Sequence, residues 1–96
     1  MMPAVSVKVL LFATLRKKYG VKELVVSCDG TIDGLIKSAS KVLGEGFFDD
    51  VYDKERGRVR DDIIFTINGR NIKDLRGKIE LKDQDVVAIF PPLAGG

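Results

Sequence analysis

Apolar and polar positions alternate with a period of two from Val5 to Phe12. Val5, Val7, Val9 and Leu11 fall on one side, and Ser6, Lys8, Leu10 and Phe12 on the other. That alternation predicts a strand. It breaks from Ala13 to Gly20, where Arg16, Lys17, Lys18 and a glycine predict a connection. Lys22 to Ser27 is rich in β-formers and predicts a second strand, paired with the first as an antiparallel hairpin with a long loop.

The period then changes. Asp29-Gly30 predicts a turn and Thr31 a helix N-cap. Ile32, Leu35, Ile36, Ala39, Val42 and Leu43 recur at spacings of three, four and seven, one apolar stripe of a helix. Asp33 in the first turn and Lys37 and Lys41 later suit the helix dipole, and Gly44 closes the helix. Phe47, Phe48, Val51 and Tyr52 predict one further helical turn, with aromatics for the core or for a partner. Asp53 to Asp62 is polar and predicts a loop.

Ile63 to Ile67 is apolar on both faces, as a central strand would be. Asn68-Gly69 is a strong two-residue hairpin signal, and Arg70-Asn71-Ile72 a short returning strand. Lys73 to Asp85 is charged and turn-rich, anchored by Leu75, Ile79 and Leu81. Val86 to Phe90 predicts a last buried strand, stopped by Pro91-Pro92. The order is strand, strand, helix, strand, short strand, strand. One amphipathic helix covers one face of such a sheet, which defines an α+β roll of about five strands. The first and last strands, apolar on both faces, are expected side by side in the middle.

Composition narrows the function. At 96 residues, 45% hydrophobic, the chain is one domain with a core of its own, needing neither metal nor disulfide. Its net charge of +2 is too small to predict a nucleic-acid partner. The basic run Lys54 to Arg60 is bracketed by Asp49, Asp50, Asp53, Asp61 and Asp62 and reads as a solvated loop. No stretch approaches the ~20 apolar residues of a membrane span. The start Met1-Met2-Pro3 lacks an export pattern. Cys28 is alone and histidine is absent, which removes disulfide frameworks, zinc sites and Cys-His or Ser-His catalysis. A reducing cytoplasm is expected.

The chemistry points to the last residues, Pro91-Pro92-Leu93-Ala94-Gly95-Gly96, six positions without a charged side chain. Residues 1–91 are expected to form the domain and 92–96 a flexible tail, stiff at the prolines and thin at the glycines. A tail of this shape can thread a channel and present the α-carboxylate of Gly96, ionised at neutral pH with a pKa near ~3.5. A frayed end is the plain alternative.

Four stretches then carry a resemblance: Val9 to Arg16, Ile67 to Arg70, Leu81 to Val87, and Ala88-Ile89-Phe90-Pro91-Pro92-Leu93-Ala94-Gly95-Gly96. In that order they resemble the MoaD/ThiS family of ubiquitin-like sulfur carriers, on its molybdopterin synthase small-subunit side. The resemblance implies a ubiquitin-like β-grasp fold. It also implies a cycle in which a ubiquitin-activating-like adenylyltransferase consumes ATP to adenylate Gly96. A thiocarboxylate forms and its sulfur passes to a pathway intermediate, in the molybdopterin branch on the synthase large subunit. Thiamine-type carriers usually lack the proline pair. The segment Gly44 to Asp62 resembles a longer variant, some of whose members are thought to modify lysines through the terminal glycine, so that reading stays open.

No catalytic residue, metal or bound cofactor is expected of such a carrier. Leu10 and Phe12 are candidates for an exposed docking patch, although Phe12 also fits as an edge of the core. Arg16 and Arg70 are candidates to pair with acidic residues of an activating enzyme, with solvated surface as the plain alternative. A monomer alone and a heteromer in function is the expectation.

Overall fold

The computed structural model describes residues 4–75 and 77–92. Strand β1 (Val5–Leu11) is followed by helix α1 (Ala13–Tyr19) and strand β2 (Glu23–Cys28). Helices α2 (Ile32–Leu43) and α3 (Gly46–Val51) lead to a ribbon of β3 (Tyr52–Asp53) and β4 (Arg58–Val59). Strands β5 (Ile64–Ile67) and β6 (Arg70–Asn71), a 3-10 turn (Ile72–Asp74) and β7 (Val86–Phe90) complete the order.

Five strands form one sheet in the order β2-β1-β7-β5-β6. Strands β1 and β7 lie side by side and parallel, with Lys8 opposite Val86 and Leu11 opposite Ile89. The other three pairings are antiparallel: Val7 faces Val26 across β1 and β2, Phe65 faces Ile89 across β5 and β7, and Ile67 faces Arg70 across β5 and β6. Alternation sends Val7, Val9, Leu11, Phe65, Val87 and Ile89 to one side, where each is essentially sealed from solvent. Helix α2 covers that side with Leu35, Ile36 and Ala39, also sealed.

The helix ends follow their capping chemistry. The Thr31 hydroxyl accepts the Gly34 N–H at 2.9 Å, and the Gly44 N–H donates to the Ser40 carbonyl at 2.7 Å. Val42, expected in the apolar stripe, is 69% exposed, so the buried face is narrower than the spacing suggested. Asn68 and Gly69 have φ of 51° and 85°, the paired positive values of a type I′ hairpin turn.

Two segments depart from expectation. Residues 13–19 form a helix rather than a connection, burying Leu15, half-burying Tyr19 and ending on Gly20 at φ 68°. The predicted loop 53–62 holds strand β4, which pairs with β3 and buries Val59. The longer segment is therefore part of the core: Phe47 and Val51 are fully buried, and the Tyr52 hydroxyl donates to Asp33 Oδ2 at 2.9 Å.

Candidate functional site

The side of the sheet away from α2 has no covering element among the described residues, and its positions toward the C-terminal end of β7 are apolar. Register places Leu10 beside Ala88, and Phe90 beside Ile64. Phe12, just beyond β1, stacks on Phe90 with ring centroids 4.3 Å apart and planes 11° from parallel. Leu10, Phe12, Ala88 and Phe90 are half-buried and Ile64 is 47% exposed. These five side chains make a continuous apolar patch.

Arg16 extends this patch. Its Nε donates to the Leu11 carbonyl at 3.1 Å, and its guanidinium carbon lies 5.3 Å from the centre of the Phe12 ring. The bonded arginine and the two rings thus form one stack. Arg70 does not join it. It lies across from Ile67, whose side chain is buried, on edge strand β6 and away from the Leu10 side.

Pro91 and Pro92 leave β7 next to the stack, Pro91 half-buried and Pro92 exposed. Leu93, Ala94, Gly95 and Gly96 lie outside the described residues. A groove of about 380 Å³ opens beside the stem, between Leu15 and Lys18 of α1, Asp50 of α3, Arg60, Ile63 and the two prolines.

Asp50 is the hub of the groove wall, accepting Lys18 Nζ at 2.8 Å and the Tyr19 hydroxyl at 2.5 Å. Burial pushes its carboxyl up, but the bonds from Lys18 and Tyr19 outweigh this and hold it below the ordinary carboxylate value. The Tyr19 hydroxyl is driven well above its usual range by burial and by the Asp50 carboxylate. Arg60 donates to the Asp49 carbonyl at 3.3 Å and approaches Asp62 at 3.6 Å.

Lys82, Asp83 and Asp85 are turn residues, in keeping with the charged, turn-rich run they belong to. Asp83 accepts the Ser6 N–H, and Asp85 accepts the Lys82 N–H and the Asn68 amide. Cys28 is buried, and burial pushes its thiol up, away from the reactive thiolate. Among the described residues no group of three or more His, Cys, Asp or Glu is placed to hold a metal ion. Among them, too, no helix is long and apolar enough to cross a membrane.

Alternation along one strand exposed Leu10 and Phe12, but Ile64, Ala88 and Phe90 were missed. Their runs are apolar on both faces, so only the sheet register reveals which residues gather on the open side.

The model of the ThiS family matches residues 9–96. The chain is 36% identical over 95 residues to the molybdopterin synthase sulfur carrier subunit of Aedes aegypti, covering 96% of this chain and 90% of that protein. It is 33% identical over 90 residues to small archaeal modifier protein 3 of Haloferax volcanii, covering 88% and 92%. Among solved structures, small archaeal modifier protein 1 from Methanosarcina acetivorans superimposes with a TM-score of 0.74 and 34% identity, covering 97% of this chain and 98% of that one. With its mixed sheet, single covering helix and family match, the chain belongs to the ThiS family of ubiquitin-like sulfur carriers, on a β-grasp fold.

Proposed function

We propose that the chain is the sulfur-carrying subunit of molybdopterin synthase, a protein cosubstrate whose reactive group is the α-carboxylate of Gly96. The observation that carries this reading is the uncovered apolar patch of Leu10, Phe12, Ile64, Ala88 and Phe90, continuous with the Pro91-Pro92 stem. A partner seated on it receives the tail directly into its own active site. The relative from Aedes aegypti supports the molybdopterin branch.

The carboxylate is a poor electrophile until activated. An adenylyltransferase of the ubiquitin-activating type binds ATP, and Gly96 attacks the α-phosphorus with loss of pyrophosphate. A sulfur nucleophile then displaces AMP to give the thiocarboxylate. The synthase large subunit takes the tail next and passes sulfur to the cofactor precursor. The chain supplies docking, reach and a thin terminus, and needs no acid or base of its own. Arg16, held in the stack, is the cation placed to meet an acidic partner residue.

A second reading, attachment of Gly96 to lysines as a protein modifier, is favoured by the similarity to two small archaeal modifier proteins. It shares the adenylate and parts from the first reading at the acceptor.

The test is intact mass of the protein from its native cells, with fragmentation of the C-terminal peptide. A shift equal to replacing one oxygen by sulfur at Gly96 is expected. Higher-mass conjugates that disappear when Gly95 and Gly96 are deleted would move the assignment to the modifier. An unmodified Gly96 that also stays inert with ATP and native extract would exclude both.

A further inference from the structure

We propose that strand β2 is a self-pairing edge, through which two copies of the chain join antiparallel about Val25 into one continuous sheet. This goes beyond the chemistry of Gly96 and does not depend on it. It departs from the solitary monomer expected of the sequence.

The two edges of the sheet differ. Strand β6 has two residues and an exposed arginine, Arg70, the short charged form by which natural edges avoid pairing. Strand β2 has six, in unbroken register with β1 from Glu23 to Cys28, with neither a bulge nor a proline. Among the described residues nothing pairs with its outer side. Its one charged side chain, Glu23, is drawn to Lys8 on the neighbouring strand, 3.6 Å away.

Hydrogen-bond direction fixes which residues face outward. The Leu11 N–H donates to the Lys22 carbonyl at 2.9 Å, while the Lys8 N–H turns the other way, to the Asp85 carbonyl at 3.0 Å. Odd positions of β1 therefore bond to β2, and the ladder's alternation commits Leu24, Val26 and Cys28 to them. Glu23, Val25 and Ser27 are left with N–H and C=O groups directed away from the sheet. All three residues are exposed, Val25 at 65%.

These positions are complementary to themselves. Run antiparallel about Val25, two copies place Val25 on Val25 and Glu23 on Ser27, and every outward N–H meets an outward C=O. On the α2 side, half-buried Leu24 comes opposite Val26. Shifting one copy by two residues sets Glu23 against Asp29, like charges, in one direction. In the other it sets Glu23 against Val25 and loses the apolar pair. The register about Val25 is therefore preferred. It leaves Leu10, Phe12, Ile64, Ala88 and Phe90 of both copies uncovered, since none lies on β2, so one dimer offers two docking faces.

Sedimentation of the full chain from micromolar to millimolar concentration, with amide exchange measured at both ends of that range, tests the edge. A monomer–dimer equilibrium is expected. As concentration rises, exchange should slow at Glu23, Val25 and Ser27 by about threefold or more, and not at Leu24 and Val26, which are already bonded to β1. Val25→Lys should weaken the dimer about fivefold or more, by setting one ammonium against another. Because Val25 is so exposed, the variant keeps its fold, which its melting temperature verifies. A chain that stays monomeric throughout overturns the proposal, as does a dimer whose protection lacks this alternation or ignores Val25→Lys. Slowing at the three amides only when another protein is added overturns it too, and assigns the edge to an extended segment of that protein.

Discussion

Gly34 sits where a methyl group has no room. A Cβ there would lie 2.2 Å from Asp29 Oδ1 and 2.9 Å from Thr31 Oγ1. Both oxygens are committed: Asp29 accepts the Thr31 N–H and hydroxyl, at 3.0 and 2.6 Å, and Thr31 caps the helix through the Gly34 N–H. Replacing glycine by alanine inside a helix ordinarily gains up to ~1 kcal/mol. Here Gly34→Ala is expected to cost about 1 kcal/mol, because it displaces a cap of similar worth. In an Asp29→Ala background the same substitution should cost less, because only the 2.9 Å contact with Thr31 Oγ1 remains. A double-mutant cycle by chemical denaturation measures this, and simple additivity would refute the account. Thr31 as the cap, Gly44 as the stop and Asn68-Gly69 as the turn are legible in the sequence because each follows from local backbone chemistry. Gly34 is not, since its constraint comes from a carboxylate five positions earlier that folds back over the helix start.

At the scale of elements, the structure ties α1 to α3 through one carboxylate. Asp50 receives Lys18 and Tyr19, and the Tyr19 ring meets Phe47 edge-on at 5.4 Å. The Asp50 carboxyl is held below its ordinary value by bonds that overcome its burial. A group whose folded pKa is depressed contributes stability above its unfolded pKa, near ~3.9, and loses that contribution as pH falls through the folded value. Asp50→Asn is thus expected to cost roughly 1–2 kcal/mol at pH 7. The gap to the parent should close as pH drops below ~3.9, because the parent then loses the same charge. Thermal melts across that range check it; a gap unchanged down to pH 2 would show that the tie does not depend on charge. Helix α1 eluded the sequence reading because Leu15 is its only buried residue, with Tyr19 half-buried one turn on, amid a basic run. The β3–β4 ribbon has two residues per strand, too few to display a period. The long helix α2 and the two middle strands carry several apolar repeats each and were legible for that reason.

For the whole molecule, the sheet is asymmetric: one side carries α2 and the core, while the other presents Leu10, Phe12, Ile64, Ala88 and Phe90 uncovered. Ile64 is 47% exposed and lies across from Phe90, so it is the member whose replacement perturbs the core least. Ile64→Asp is expected to leave the melting temperature within a few degrees of the parent, since exposed substitutions generally change stability by under ~0.5 kcal/mol. The same substitution should reduce ATP-dependent activation of Gly96 by an order of magnitude or more, by placing a charge where a partner needs apolar contact. Unaltered activation in a folded variant would remove this face from the docking account. Of the patch, two of five residues, Leu10 and Phe12, are readable along the chain. The other three depend on strand order, information that exists only once distant segments pair.

That strand order has a consequence for how the molecule comes into being. The strand at the centre of the sheet, β7, is also the last of the seven along the chain, and its parallel neighbour β1 is the first. During synthesis β1 and β5 wait, unpaired along the edges that β7 will fill, until Val86–Phe90 emerges, and the closing contact joins the two ends of the sequence. Pairings this distant make folding slow and leave sticky edges in unfinished chains. The residues that lock the sheet run straight into Pro91-Pro92 and the tail. A chain cut short before β7 therefore has no finished sheet.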